Sequence, residues 1–142
     1  MTTTEQDGAA FRWPVRAYYE DTDAAGVVYY ANYLKFMERA RTEWLRAAGF
    51  EQTTLRDELD VVFVVRAVAI EYLQPAHFND ALETTVEPET VRGSSFVLKQ
   101  AVWRGDALIV TAQVRIVCVN TQTFRPVRIP TAVLEKLAMR EA

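Results

Sequence analysis

The order of the hydrophobic patterns restricts this chain to few folds, because one long helical pattern precedes four long strand-like patterns. Apolar residues recur at helical spacing from Tyr33 to Ala47, which predicts a helix with Asn32 as its N-cap and Gly49 as its stop signal. Such an order is typical of an α+β fold in which the helix packs across a curled antiparallel sheet. The four predicted strands are Val61–Tyr72, Ala81–Arg92, Ser94–Trp103 and Ala107–Asn120.

Shorter patterns complete this interpretation. Phe11–Tyr19 is predicted as a first strand, Gln52–Leu59 as a short helix and Thr131–Arg140 as a closing helix. The chain has 142 residues, 50% of them hydrophobic, which suffices for one core without disulfides. We therefore expect residues 1–10 to be a disordered lead-in and residues 11–142 to form a single domain.

The charge and the rare residues exclude several classes of protein. The 16 Lys and Arg against 19 Asp and Glu give a net charge of −3, which argues against a nucleic-acid partner. One cysteine excludes an intrachain disulfide, and one histidine excludes zinc sites with several histidines. No apolar run approaches the roughly 20 residues of a membrane span, and the polar start differs from a signal peptide. We expect a cytoplasmic protein with no membrane span and no metal.

The predicted sheet also bears on assembly. Its strands are long, and a long edge strand exposes unpaired backbone groups that need cover. Edge-to-edge pairing with a second copy would supply that cover, so we expect a homodimer or homotetramer.

Three acidic residues lie between the first predicted strand and the long helix. They are Glu20, Asp21 and Asp23. If the loop runs close to the core, desolvation would raise the pKa of at least one carboxyl, and the helix N-terminus would offer N–H donors for a developing oxyanion. That combination is a minimal hydrolytic site. The alternative is that Glu20 and Asp21 are solvated loop charges and Asp23 caps a turn.

The segment from Tyr18 to Gly49, YYEDTDAAGVVYYANYLKFMERARTEWLRAAG, resembles the signature of hotdog-fold acyl-CoA thioesterases. It is similar to the 4-hydroxybenzoyl-CoA thioesterase group and to the bacterial thioesterases encoded with the Tol–Pal envelope system. The resemblance runs from about Val15 to about Pro130 and implies one long central helix wrapped by a curved antiparallel sheet of five or six strands. Its most specific part runs from Asp21 to Tyr33; shorter matches are Val64-Val65-Arg66, Glu71-Tyr72, Pro75-Ala76 and Arg92-Gly93-Ser94-Ser95-Phe96.

The resemblance assigns roles to residues of the acidic loop. The family's catalytic aspartate corresponds to Asp23, acting as nucleophile or general base toward the thioester carbonyl. The oxyanion donor corresponds to the backbone N–H of Tyr30. Gly26 would permit close approach of backbone and substrate. Asn32 and Tyr33 match positions that we interpret as positioning residues.

The coenzyme A segment of the family corresponds to a predicted hairpin turn. It comprises Arg92, Gly93, Ser94 and Ser95; Arg66, Arg125 and Arg128 are weaker candidates for the same phosphates. Arginine pairs bidentately with phosphate, and hydroxyl and backbone N–H groups can supplement it. The alternative is an ordinary hairpin with a solvated Arg92.

One residue departs from the closest family pattern. The Tol–Pal-type enzymes commonly carry histidine where this chain has Tyr30, which leaves an aspartate-only mechanism. His77 is expected in a turn, without replacing that histidine. We interpret Glu38 and Glu43 as the polar face of the helix, although another hotdog branch places its catalytic glutamate there, and Cys118 as a buried thiol.

Together these features predict an acyl-CoA thioesterase that hydrolyses short-chain or aromatic acyl-CoA, or acyl groups on an acyl carrier protein. Water is the co-substrate, so no cofactor is expected beyond the coenzyme A of the substrate. The alternative is a non-hydrolytic subunit of an envelope or lipid-related complex that binds acyl-CoA or acyl carrier protein. A hotdog hydratase is a third possibility, but that chemistry usually needs an Asp–His pair.

Overall fold

The computed structural model describes residues 10–140, so the predicted lead-in lies outside the described residues except for Ala10. A short 3-10 turn, Tyr19–Asp21, precedes the long helix. The strands and α-helices are β1 Phe11–Arg16, α1 Asn32–Ala47, α2 Gln52–Leu59, β2 Val61–Tyr72, β3 Ala81–Arg92, β4 Ser95–Arg104, β5 Ala107–Asn120 and α3 Thr131–Lys136.

The five strands form one sheet in the order β1-β3-β4-β5-β2. β1 pairs antiparallel with β3, from Phe11 opposite Val86 to Arg16 opposite Ala81. Two-residue turns join β3 to β4 and β4 to β5, and each begins with a glycine at positive φ, where a side chain would be strained. The predicted α+β architecture with an antiparallel sheet is confirmed, and β1 and β2 are its edges.

The described residues group into two compact units. The first comprises residues 10–41, 70–87 and 99–112. Its core joins one face of α1, through Tyr33, Phe36 and Met37, to buried strand residues such as Val102 and Val110. The apolar face that the helical spacing predicted is therefore the face buried against strand residues.

The second unit comprises residues 42–69, 88–98 and 113–140. Its buried centre includes Phe96, whose ring centroid lies 6.5 Å from that of Trp44 on α1 and 5.3 Å from that of Phe63 on β2. That residues 11–142 form one domain stays a prediction.

Two predicted elements end earlier than expected. β1 stops at Arg16 instead of Tyr19, because the Asp21 carboxylate accepts the Tyr18 N–H at 2.8 Å and folds this segment into the 3-10 turn. The closing helix stops at Lys136 instead of Arg140, and Ala138 at φ 56° is incompatible with its continuation.

The edge strand β2 is unusually exposed for its composition. Only its first residue, Val61, is buried. Val65, Val68 and Tyr72 expose 47%, 39% and 44% of their surface. A long apolar edge of this kind lacks cover within the described chain.

Candidate active site

The acidic loop closes into a small hairpin around Asp23. Thr22 pairs with Val28, and the Asp23 N–H donates to the Val27 carbonyl at 2.9 Å. The Asp23 carboxylate turns back on the loop, where Oδ1 accepts the Ala25 N–H at 2.8 Å. This bond fixes the side chain within a short turn and leaves it exposed to solvent. The desolvation expected for a carboxylate of this loop is therefore absent at Asp23 within the single chain.

Gly26 occupies the turn of this hairpin at φ +82°, a conformation that L side chains rarely adopt. A Cβ built at this position meets no atom within 4 Å. The glycine is therefore explained by backbone conformation alone. Its predicted role in close substrate approach stays a prediction.

Asp21 ties the acidic loop to the start of α1. Its carbonyl accepts the Tyr29 N–H at 2.8 Å and the Asn32 side-chain amide at 2.9 Å. Asn32 was predicted as an N-cap, but it is the first residue of α1 and its amide donates backwards to the loop. The loop and the helix entry are thus held in one arrangement.

The backbone N–H of Tyr30 is open at this helix entry. Two nearby N–H groups are occupied, since the Tyr29 N–H donates to the Asp21 carbonyl and the Asn32 N–H donates to the Tyr29 carbonyl, both at 2.8 Å. Within residues 10–140, the Tyr30 N–H has no hydrogen-bond acceptor. An open N–H at a helix N-terminus is the kind of donor that stabilises negative charge. The hairpin that contains Asp23 and Gly26 leads directly into the helix entry at Tyr30, so the three residues belong to one short segment of the chain.

An aromatic cluster borders Tyr30, and sequence reasoning did not assign it. The Tyr72 ring lies 5.8 Å from the rings of both Tyr30 and Tyr33, measured between centroids. The Tyr33 hydroxyl accepts the Ala76 N–H at 3.2 Å, and burial raises the pKa of both Tyr33 and Tyr72. The one available signal was the family match at Glu71-Tyr72, which gives no contact partner.

The turn that contains His77 lies beside the acidic loop. His77 pairs with Val27, and the Val28 N–H donates to the Ala76 carbonyl at 2.8 Å. His77 lies in a turn, as predicted, and its imidazole Nδ1 is 3.8 Å from Asp80 Oδ2. The sequence did not reveal this partner.

Asp80 organises that turn. Its Oδ2 accepts the His77 N–H at 2.8 Å and an Arg104 guanidinium N–H at 2.9 Å. Partial burial would raise the pKa of this carboxyl, but the two donors and the Arg104 charge hold the pKa below its ordinary value.

The predicted coenzyme A turn belongs to the second compact unit. Gly93 has φ +59° and its carbonyl accepts the Ile129 N–H at 3.1 Å, while the Ser94 carbonyl accepts the Cys118 N–H at 2.8 Å. Ser95 Oγ donates to the Arg92 carbonyl over a long 3.4 Å. The turn is thus pinned through its backbone, and the Arg92 side chain is exposed. Arg66 is exposed on β2; Arg125 and Arg128 are exposed after β5.

The remaining candidates have local explanations. Glu38 is exposed on α1, and Glu43 pairs with Arg46. Cys118 is buried, which raises the pKa of its thiol to about 11. Residues 10–140 contain no group of three or more His, Cys, Asp or Glu that could hold a metal ion. None of the helices in this range combines the length and apolar character needed to span a membrane.

The fold and the acidic loop can now be compared with those of known proteins. The family model of the thioesterase-like superfamily matches residues 18–137. The chain belongs to the thioesterase-like superfamily, whose solved members include hotdog folds. A 4-hydroxybenzoyl-CoA thioesterase mutant complexed with 4-hydroxybenzoyl-CoA superposes with a TM-score of 0.86 over 92% of this chain and 99% of that one. At 21% identity, this likeness confirms the hotdog fold alone.

Particular relatives are more similar in sequence. The acyl-CoA thioesterase YbgC of Haemophilus influenzae is 44% identical over 123 residues, covering 87% of this chain and 90% of that protein. The structure of a probable thioesterase from Bartonella henselae is 36% identical, with a TM-score of 0.82 over 86% of this chain and all of that one (100%). The resemblance predicted from the acidic loop and the long helix is confirmed.

Proposed function

We propose that this chain is an acyl-CoA thioesterase, which hydrolyses an acyl-CoA to a carboxylate and free coenzyme A. The observation that carries the proposal is the pairing of a fixed carboxylate, Asp23, with the open N–H of Tyr30 at the adjoining helix entry. Relatives named as acyl-CoA thioesterases match across most of the chain, which supports the same activity. The hydrolysis consumes only water, so the proposal includes no metal or redox cofactor.

Asp23 and the Tyr30 N–H act on opposite ends of the reacting carbonyl. As general base, Asp23 takes a proton from water while the water oxygen attacks the thioester carbon. As nucleophile, its carboxylate attacks first, and water then hydrolyses the resulting mixed anhydride. In both routes the Tyr30 N–H stabilises the oxyanion, the C–S bond breaks and the thiolate leaves with a proton from the medium.

The other predicted site residues support binding. Gly26 permits close approach of the backbone and the substrate, and the Arg92-Gly93-Ser94-Ser95 turn binds coenzyme A phosphates, with Arg66 as an additional contact. Arginine guanidinium groups donate paired hydrogen bonds to phosphate oxygens, and serine hydroxyls can donate a further one. The acyl group is short or aromatic, and an acyl carrier protein is a second possible source of the thioester.

The proposed working unit is a homodimer or homotetramer in the cytoplasm, with residues 11–142 acting as one domain. The exposed apolar edge β2 supports self-association, since pairing would cover its backbone and side chains. The uninterrupted family match over residues 18–137 supports a single domain. Asp23 is exposed in one chain, and a neighbouring copy could supply the apolar surroundings that thioester hydrolysis favours.

The test is release of free thiol from a panel of short-chain, long-chain and aromatic acyl-CoAs, followed with a thiol reagent. We expect the wild type to release thiol steadily from at least one short-chain or aromatic substrate. The Asp23→Asn variant, prepared in the same way, should release thiol only at the background rate. Background release from the wild type across the whole panel would contradict the proposal.

A further inference from the structure

A concavity in the second compact unit contains a charged residue that no comparison assigns. Its volume is about 420 Å³, within the range of roughly 300–1,000 Å³ usual for small-molecule sites. It crosses three neighbouring strands, with β4 in the middle. The residues that line it are Thr90, Arg92, Ser95, Phe96, Val97 and Arg115.

Strand geometry explains how these residues meet. Alternate residues of a strand share a face, so Thr90 and Arg92 of β3 project together, as do Ser95 and Val97 of β4. Arg115 reaches the same concavity from β5. Two guanidinium groups and two hydroxyls therefore surround one space, although they are far apart in sequence.

The two arginines carry uncompensated charge. Both side chains are exposed, and among residues 10–140 neither forms an ion pair or a side-chain hydrogen bond. The carboxylate of Glu89, on β3, instead accepts from the Gln113 side chain at 2.9 Å. Two like charges that share a concavity repel each other, so a bound anion would be favoured there.

We propose that Arg115 joins Arg92 in binding the 3′-phosphate of coenzyme A; this rests on the proposed thioesterase function. A terminal phosphomonoester carries a charge near −2 and three free oxygens, which two guanidinium forks can match bidentately. Each phosphate of the diphosphate bridge carries one charge and fewer free oxygens. Ser95 adds a hydroxyl, since its present bond to the Arg92 carbonyl is long and easily exchanged.

The proposal has a consequence for substrate choice. Free acyl-CoA carries the 3′-phosphomonoester, whereas the phosphopantetheine arm of an acyl carrier protein carries only a phosphodiester. A site built for the monoester selects acyl-CoA over acyl carrier protein with the same acyl group.

The kinetic test compares the wild type with Arg115→Ala on acyl-CoA and on the matching acyl-3′-dephospho-CoA. With acyl-CoA, we expect the variant to raise KM about ten-fold and leave kcat nearly unchanged, because remote phosphate binding is uniform between ground and transition states. With the dephospho substrate, the wild-type KM should already be raised, and the variant should change it less than two-fold, roughly the error of such a comparison.

Arg56→Ala is the matched control, because it removes one exposed arginine charge from α2 and should leave KM unchanged. Arg115→Lys keeps the charge without the fork and should fall between the wild type and the alanine variant. An unchanged KM for Arg115→Ala would overturn the proposal. An equal effect on the dephospho substrate would also overturn it, since the contact would then be with the diphosphate.

Calorimetric binding of free coenzyme A separates this inference from the proposed catalysis. The wild type should bind coenzyme A about ten-fold more tightly than Arg115→Ala, and dephospho-coenzyme A should bind both alike. This result would support the phosphate site even if no thioester were hydrolysed. Equal binding of coenzyme A by an active wild type and variant would refute the site and leave the thioesterase proposal intact.

Discussion

At Asp23, one carboxylate oxygen already accepts the Ala25 N–H, so the loop conformation and the chemistry depend on the same side chain. Asp23→Asn keeps an oxygen for that bond and removes the negative charge needed by a base or nucleophile. We expect kcat to fall by about 100-fold or more, with KM and the melting temperature little changed. Steady-state thiol release would measure kcat and KM, and thermal unfolding of the same preparations would measure the melting temperature.

Neighbouring carboxylates provide the comparison. Glu20→Gln removes a charge from the same exposed loop, and Glu38→Gln removes one from the outer face of α1. Each should retain most of the wild-type kcat, because neither residue lies within the Thr22–Val28 hairpin that holds Asp23. Loss of activity in Glu38→Gln with retention in Asp23→Asn would move the catalytic carboxylate to the helix.

The positions of Asp23 and Tyr30 could be predicted from the sequence because both belong to one short motif within a single strand-to-helix connection. Their environment could not. The Ala25 contact, the exposure of Asp23 and the open Tyr30 N–H depend on backbone hydrogen bonds of the folded loop. The contact of Tyr72 with Tyr30 joins residues distant in sequence, which hydrophobic periodicity does not report.

At the level of elements, the turn after β2 is stabilised by the ionised form of Asp80. The pKa of this carboxyl is lower in the folded chain than in the unfolded one, so ionised Asp80 favours folding. Its contribution is fully present above the unfolded pKa of about 3.9 and disappears as the pH falls through the folded value. The expected contribution of ionised Asp80 to stability is modest. Water reaches the Asp80 side chain, which is 23% exposed, and screens its interaction with Arg104.

Asp80→Asn should therefore lower the melting temperature by about 3 °C at pH 7, corresponding to roughly 1 kcal/mol. The difference from the wild type should shrink as the pH falls below about 3.9, because the stabilisation by the ionised carboxyl is progressively lost there. Asp106→Asn, in the exposed turn between β4 and β5, is the control and should change little at either pH. A difference that grows toward low pH would have the wrong sign for this explanation.

Long periodic elements could be predicted closely, and short aperiodic ends could not. β2, β3 and β5 have the predicted bounds, and α1 begins one residue early, at its predicted N-cap Asn32, because each carries many residues of one hydrophobic period. The ends of β1 and α3 depend instead on single local features, namely the Asp21 bond to Tyr18 and the positive φ of Ala138. No periodic signal marks such features.

For the whole molecule, the exposed edge β2 predicts self-association. Sedimentation equilibrium at micromolar concentration should give at least twice the chain mass of 16.2 kDa. Val68→Lys places a charge on this edge and should shift the mass toward a single chain, because charged edges oppose strand pairing. Leu59→Lys adds the same charge at a 38% exposed site on α2 and should leave the assembly intact. A wild type that is monomeric and fully active would contradict this role of β2.

The burial of the single cysteine has a practical consequence for every assay that detects thiols with a coloured reagent. With a pKa of about 11, the Cys118 thiol is ionised in roughly one molecule per thousand at pH 8, and its neighbours shield it from reagent. Cys118 of the folded protein therefore does not react with the reagent, and the colour that develops measures the released coenzyme A alone. After denaturation the same residue becomes an internal standard, giving one equivalent of dye per chain and hence the protein concentration on the same scale.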